Sequence, residues 1–296
     1  MTEDHSLERQ PVLDENSLLW RWLGDMRITF EGGTAGLLQT MHPAIGHALI
    51  DHSDFFANPV DRVFRSLPGI LGSVYRADAD TTATSVRDYH RTITGELPDG
   101  SRYHALTPNT FWWAHATFQR MVDRVAQHWD HHDLTTAESE QLYLEGCVWY
   151  RRYGVSTTPL PPHRYAFEQK LHTYCTHILQ PNPASDFLID LIDRGDVPDM
   201  SASPSYPTTA ALKPYTDRLL PNPRFRAVLG PPMRLTIFGG LPAPVRHRFG
   251  IRWSRRDELA YRGLRATVRA GWPLVPESLR WHSEAAHARK RTMTPR

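Results

Sequence analysis

Apolar residues recur three and four positions apart along most of the chain, which predicts one amphipathic helix after another. Between Thr34 and Ile50 the apolar set is Leu37, Leu38, Met41, Ile45, Ala48 and Leu49. Pro43 lies inside that set, lacks an amide hydrogen, and predicts a kink or split just after His42. Asn58-Pro59 reads as the N-cap and first turn of a helix carrying Val60, Val63, Phe64 and Leu67, with Pro68-Gly69 as a stop or bend. The next helix places Ala83, Val86, His90 and Ile93 on one otherwise apolar face and should end near Gly95. Thr107-Pro108 then opens a helix whose inner face is Phe111, His115, Phe118, Val122 and Val125. Thr135-x-x-Glu138 is a capping box ahead of Leu142 to Tyr153, and Gly154 is a C-terminal stop.

The pattern continues over His163 to Leu179 and Ser185 to Asp193, followed by a Pro- and Ser-rich stretch around Val197 to Pro207. Beyond it, Pro221-Asn222-Pro223, Pro231-Pro232 and Pro242-Ala243-Pro244 should cut the chain into short helices. No convincing strand and no internal repeat is visible. The pattern therefore predicts an all-α fold, a single multi-helix domain over residues 13–287. An N-terminal tail, 1–12, and a basic C-terminal tail, 288–296, flank it, because neither shows apolar periodicity.

The length of 296 residues and 40% hydrophobic content allow a substantial core and exclude a disordered chain. No apolar run approaches the roughly 18 to 20 residues that span a bilayer, so no membrane span is expected. The polar start Met1-Thr2-Glu3-Asp4-His5 lacks a secretory pattern, and the expected location is cytoplasmic. Cys147 and Cys175 fall in helical patterns as small hydrophobes. Charge is uneven, with thirteen Arg or Lys against four Asp or Glu from Pro244 to Arg296. These arginines are interleaved with Trp253, Leu259, Tyr261, Leu264, Val268, Trp272 and Trp281. That suits a segment pairing with the acidic body of the same chain, and no nucleic-acid-binding motif accompanies it.

The helices must aim the chemistry inward. Gly32-Gly33-x-x-Gly36 follows no strand, so it does not read as a dinucleotide loop. Neither a Gly-x-Ser-x-Gly elbow nor a His-Glu-x-x-His pair occurs. His42, His47 and His52 recur every five residues, which scatters them around an ideal helix. His128, His131 and His132 have a converging spacing with Asp133 close by, but at a polar helix end. His90 and His115 each lie on the apolar face of a different helix. An imidazole there needs a hydrogen-bond acceptor, or a metal or cofactor iron that takes its neutral nitrogen. Arg62, Arg65, Ser66 and Gly69 share one helical face opposite the apolar side.

A series of landmarks resembles a known family. They are Leu37-Leu38-Gln39-x-x-His42-Pro43, His52-Ser53-Asp54-Phe55, and Asn58-Pro59-x-x-Arg62 with Ser66. His90-x-x-x-x-Gly95, Tyr103-x-Ala105-x-x-Pro108, Trp113-x-His115-Ala116-Thr117 and Gly154-Val155 follow. Arg248-Phe249-Gly250-Ile251-x-Trp253 and Leu274-Val275-Pro276-x-x-Leu279-Arg280 close the series. In order and spacing the chain resembles, over roughly residues 20 to 290, the haem-dependent oxygenases that group bacterial rubber oxygenase (latex-clearing protein) with the fungal MpaB-type oxygenases.

The resemblance implies a globin-like helical core holding haem b, with His90 as the proximal iron ligand and His115 as its competitor or supporting partner. It implies Arg62 as the distal, haem-side arginine, with Arg65 and Ser66 at the positions of a family lysine and threonine. Arg65 changes the chemistry, since a guanidinium stays protonated and cannot ligate iron as a neutral lysine can. No glutamate aligns with the catalytic base of rubber oxygenase, which leaves base-initiated polyisoprene cleavage without its base.

The implied activity is oxidation, with dioxygen, of a small or medium apolar organic molecule held among Trp112, Trp113, Phe118 and similar walls. The outcome would be insertion, cleavage or dehydrogenation, with an electron donor as a further partner. Two other readings stay open: a non-catalytic haem- or ligand-binding helical protein, and a non-haem metal enzyme using one of the histidine clusters.

Overall fold

The computed structural model describes residues 11–293 apart from 204, 205, 207 and 210. Positions 1–10 of the expected N-terminal tail, positions 294–296 of the C-terminal one, and part of the Pro- and Ser-rich stretch lie outside the described residues. The described chain is all-α apart from one two-stranded hairpin. The apolar periodicity produces the expected helices. Pro43 splits its helix into Thr29–Thr40 and Pro43–His52, with His42 between them. Thr135 and Glu138 form the capping box that starts Thr136–Arg152.

At the centre, the helices Thr29–Thr40 and Pro108–Arg124 pack on each other, with Pro223–Gly240 across the first and Thr136–Arg152 beside the second. Trp22, Trp112, Trp113, Trp129 and Trp149 are completely buried in this core, and both free cysteines are buried with them. Burying a side chain of that size contributes on the order of 2–3 kcal/mol each, so the tryptophans dominate the core's cohesion. Both glycines lie inside the Thr29–Thr40 helix and form no phosphate loop, and Gly33 lies against Ile237 where the helices cross.

Several expectations need correction. The helix before His90 is Ala79–Asp88 and stops two residues short of it. Gly95 lies in a strand, Thr94–Glu96, that pairs antiparallel with Arg102–His104. Pro68 opens the helix Leu67–Tyr75 and ends none, as its fixed φ allows in a first turn. Pro231 and Pro232 sit within the unbroken helix Pro223–Gly240. The carbonyls they deprive of partners belong to Ala227 and Val228, both exposed, so water can satisfy them.

Residues 288–293 are likewise no tail. They continue the helix Ser283–Met293, bury Ala288, and bring Arg291 onto the Tyr75 carbonyl at 2.5 Å. Much of the basic end pairs within the chain, as its interleaved pattern predicts. Arg252 reaches Asp193 at 3.2 Å, Arg262 reaches Glu258 at 2.7 Å, and Arg280 caps the carbonyls of Val275 and Pro273. Among the described residues, no helix is long and apolar enough to cross a membrane.

A buried ionic clasp ties the first turns to the last. The Arg27 guanidinium donates to both Asp25 oxygens (2.9 and 2.8 Å), to Asp130 (2.8 Å) and to the Trp129 carbonyl (2.9 Å). Trp22 donates to the same Asp130 oxygen at 2.9 Å, and Trp272 lies under the guanidinium at 5.0 Å. Backbone bonds from Met26 to Arg280 and from His282 to Gly24 run alongside, each 2.8 Å. Burial alone would raise the Asp130 pKa, but the Trp22 N–H, the His132 amide and Arg27 outweigh it and hold the carboxyl at about 2.

Arg27→Met strands two buried carboxylates and should lower stability by about 3–5 kcal/mol in urea titrations. Because Asp130 is held below its ordinary 3.8, its contribution is complete above that value and is lost as pH falls toward 2. Wild-type stability should drop over that acid window, and Asp130→Asn should remove this part of the drop.

Candidate active site around His90 and Arg62

His90 sits in the turn after Ala79–Asp88, its amide bonded to the Arg87 carbonyl at 2.9 Å. Its Nδ1 lies 2.8 Å from the Val86 carbonyl. A carbonyl can only accept, so Nδ1 carries the proton and Nε2 carries the lone pair. Nε2 has no hydrogen bond among the described residues. Phe111 packs edge-on against the ring at 6.0 Å. Burial lowers the His90 pKa, the Val86 bond opposes this, and the nearby Arg62 charge adds to the lowering, so the ring is neutral near pH 7. The arrangement presents one oriented imidazole lone pair.

The turn is held from both sides. The hairpin that follows is fastened to the Pro43–His52 helix by His52 Nε2 on the Thr94 carbonyl (2.8 Å) and by the Tyr103 hydroxyl on Asp51 (2.7 Å). Ahead of it, the helices Leu67–Tyr75 and Ala79–Asp88 pack along their lengths.

Arg62 comes from the short helix Pro59–Phe64, whose first turn the Asn58-Pro59 pair begins. Its Nη1 donates to Ser66 Oγ at 2.9 Å. Burial and then the adjacent Arg65 charge lower its pKa, but the guanidinium remains protonated. Arg65, three residues on, turns outward, half exposed, and pairs with Asp54 at 3.0 Å and Asp61 at 2.9 Å. The Arg62 charge thus bears on His90 with Ser66 holding its guanidinium, while Arg65 turns to the two carboxylates. Asp61 was legible as a partner, since it stands four residues before Arg65 at ion-pairing spacing. Asp54 lies outside the helix, and only the fold brings it there.

His115 occupies a different environment. It is fully buried on the Pro108–Arg124 helix, its Nε2–H donating to the Gly146 carbonyl at 3.1 Å while Nδ1 is buried without a partner. Trp149, Tyr150 and Tyr153 surround the ring at 4.8, 5.1 and 6.0 Å. Burial drives its pKa to about 3. Phe111, one turn earlier, touches His90 on one side and Tyr150 and Tyr153 on the other. A chain of ring contacts, through Phe111 and then Tyr150 and Tyr153, therefore joins the two imidazoles.

The expected substrate walls are core elements. Trp113 stacks on Tyr174 at 4.7 Å and donates to the Leu38 carbonyl, Trp112 lies under the Lys170 ammonium at 4.0 Å, and Phe118 packs toward Trp149. The histidine clusters disperse. His131 goes to Asp130, His132 to Glu138 and His128 to Arg124, while His42 stacks on Tyr174 and His52 holds the hairpin. Among the described residues, no group of three or more His, Cys, Asp or Glu is placed to hold a metal ion.

Residues 20–270 match a family model described as ER-bound oxygenase mpaB/B′/rubber oxygenase, catalytic domain. No curated protein and no solved structure matches the chain.

The carbonyl that holds His115 belongs to Gly146, where an added Cβ would lie 1.7 Å from the buried Gln119 Oε1. Gly146→Ala should therefore lower stability by about 1–3 kcal/mol in chemical denaturation, despite alanine's advantage in a helix.

Proposed function

Because the chain belongs to the family of MpaB-type and rubber oxygenase catalytic domains, we propose that it is a haem b-dependent oxygenase. It would act with dioxygen on a small or medium apolar organic substrate. The observation that carries this reading is the His90 ring, with its N–H on the Val86 carbonyl, its Nε2 lone pair unused, and the Arg62 charge within reach. An iron ligand needs that tautomer and that second hydrogen bond. The residues thus fit the group, which His90 would hold through its iron. His115 also carries a lone pair, but rings pack against it closely and leave less room for a macrocycle.

When bound, the haem supplies the iron chemistry that activates dioxygen. The chain's residues set the conditions. The Val86 carbonyl fixes the His90 tautomer and makes the ring a better electron donor. Arg62, anchored by Ser66, brings a permanent positive charge and N–H donors to where negative charge would develop on oxygen. Phe111 keeps water from one side of His90. Arg65, occupied by Asp54 and Asp61, steadies the Arg62 helix and cannot ligate iron, which leaves no lysine-type closure of the site. An electron donor would be needed if one oxygen atom is inserted and the other reduced to water.

Protein supplied with haem should show a Soret band that His90→Ala abolishes and His115→Ala preserves. The opposite pattern would transfer the ligand role to His115, and no band in wild type would sink the haem reading. Arg62→Ala should keep the band and lower substrate-dependent dioxygen consumption about 100-fold.

A further inference from the structure

A second group of cations lies on another face of the Pro108–Arg124 helix and involves neither His90 nor Arg62. Arg120 donates to the Gly240 carbonyl at 2.7 Å, and Arg246 donates to the carbonyls of Leu241 (2.6 Å) and Phe238 (3.0 Å). Arg124 reaches Glu31 at 2.9 Å, the Tyr261 hydroxyl at 2.7 Å and His128 Nε2 at 3.3 Å. Arg265 donates to the His128 carbonyl at 3.3 Å and lies over the Tyr261 ring. Glu31 is the sole carboxylate within hydrogen-bonding distance of these four guanidiniums among the described residues. Glu258 is nearby but is engaged by Trp253 and Arg262.

Helix capping accounts for part of this, since Phe238, Gly240 and Leu241 end the Pro223–Gly240 helix and Arg120 and Arg246 meet its negative pole. That pole is equivalent to about half a charge, which cannot balance the excess of cations. Burial lowers the Arg120 pKa to about 10, with Arg124 adding to the lowering and Glu31 opposing it, the signature of a desolvated cation short of counter-charge. His128 adds a donor. Its Nε2 accepts from Arg124, so its proton is on Nδ1, and Nδ1 is buried with no partner.

We propose that Arg120, Arg124 and Arg246 form an anion site, between the Pro108–Arg124 helix and the end of Pro223–Gly240, that binds one oxyanion group, a phosphate or a carboxylate. Guanidiniums suit such a group because their N–H donors match paired oxygens, and the site stands independently of the haem reading.

Thermal unfolding followed by circular dichroism, in sodium phosphate, sodium acetate or sodium chloride at matched ionic strength, tests it. Phosphate or acetate should stabilise saturably beyond chloride, raising the folding equilibrium constant about tenfold at ten times the dissociation constant. Which of the two does so names the oxyanion. Arg120→Met should weaken that binding about tenfold or more, and Arg218→Gln on the exposed Lys213–Leu219 helix should not. If Arg120→Met does not fold, Arg246→Gln makes the same comparison. Equal behaviour of both anions and chloride, or saturable binding unchanged in the folded Arg120 or Arg246 variant, would overturn the site.

Discussion

Arg27 is the point through which the two ends of the chain are joined. Its guanidinium is enclosed by Asp25, Asp130, the Trp129 carbonyl and the Trp272 ring, and all three of its nitrogens are used. A buried ion pair of this kind contributes little net stability, because desolvating three charges costs about as much as their attraction returns. What it sets is pairing. The Asp25–Arg27 turn and Asp130, beyond the Pro108–Arg124 helix, bury their charges against each other, and the segment from Trp272 to His282 closes over them with a ring and two backbone bonds. The segments tied together here frame the long central helices, and those helices in turn present His115, Phe111 and the landmarks around His90.

The two histidines differ in how their neutrality is produced. For His115 it is enforced by exclusion of water on every side, with a helix carbonyl on one nitrogen. For His90 it follows from partial burial and a neighbouring cation, against the pull of a carbonyl from its own preceding helix turn. The first arrangement encloses its free nitrogen completely and the second leaves the ring only partly buried, which is what favours His90 for the ligand role proposed above. The same economy appears in the Pro59–Phe64 helix, where Arg62 and Arg65, one turn apart, separate into an inward and an outward cation because Asp54 and Asp61 hold only the second.

Much of this was legible in the residues. Apolar spacing, the Pro43 break, the Thr135 capping box and the inward placement of His115 and Phe111 all rest on local rules, and local rules were enough. So was the need of His90 for a carbonyl or carboxylate on its second nitrogen. The failures share a cause. Pro231 and Pro232 read as breaks because sequence alone does not reveal that the deprived carbonyls face water. The strand at Gly95 depends on a partner strand and on ties to Asp51 and His52, none adjacent in sequence. The C-terminal Arg-rich helix looked like a tail because small side chains, Ala285 and Ala288, make its burial. Trp112 and Trp113, which helical spacing already favoured as core over substrate wall, pack on Tyr174 and Phe167 as core.

Phe111 has a consequence beyond its packing. It is the ring that separates His90 from the Tyr150, Tyr153 and His115 cluster, and it carries neither a donor nor an acceptor. Protons travel along chains of hydrogen-bonding atoms, and this contact offers them none. At this contact Phe111 therefore acts as a proton insulator, giving no hydrogen-bonded path from His90 to Tyr150 or Tyr153.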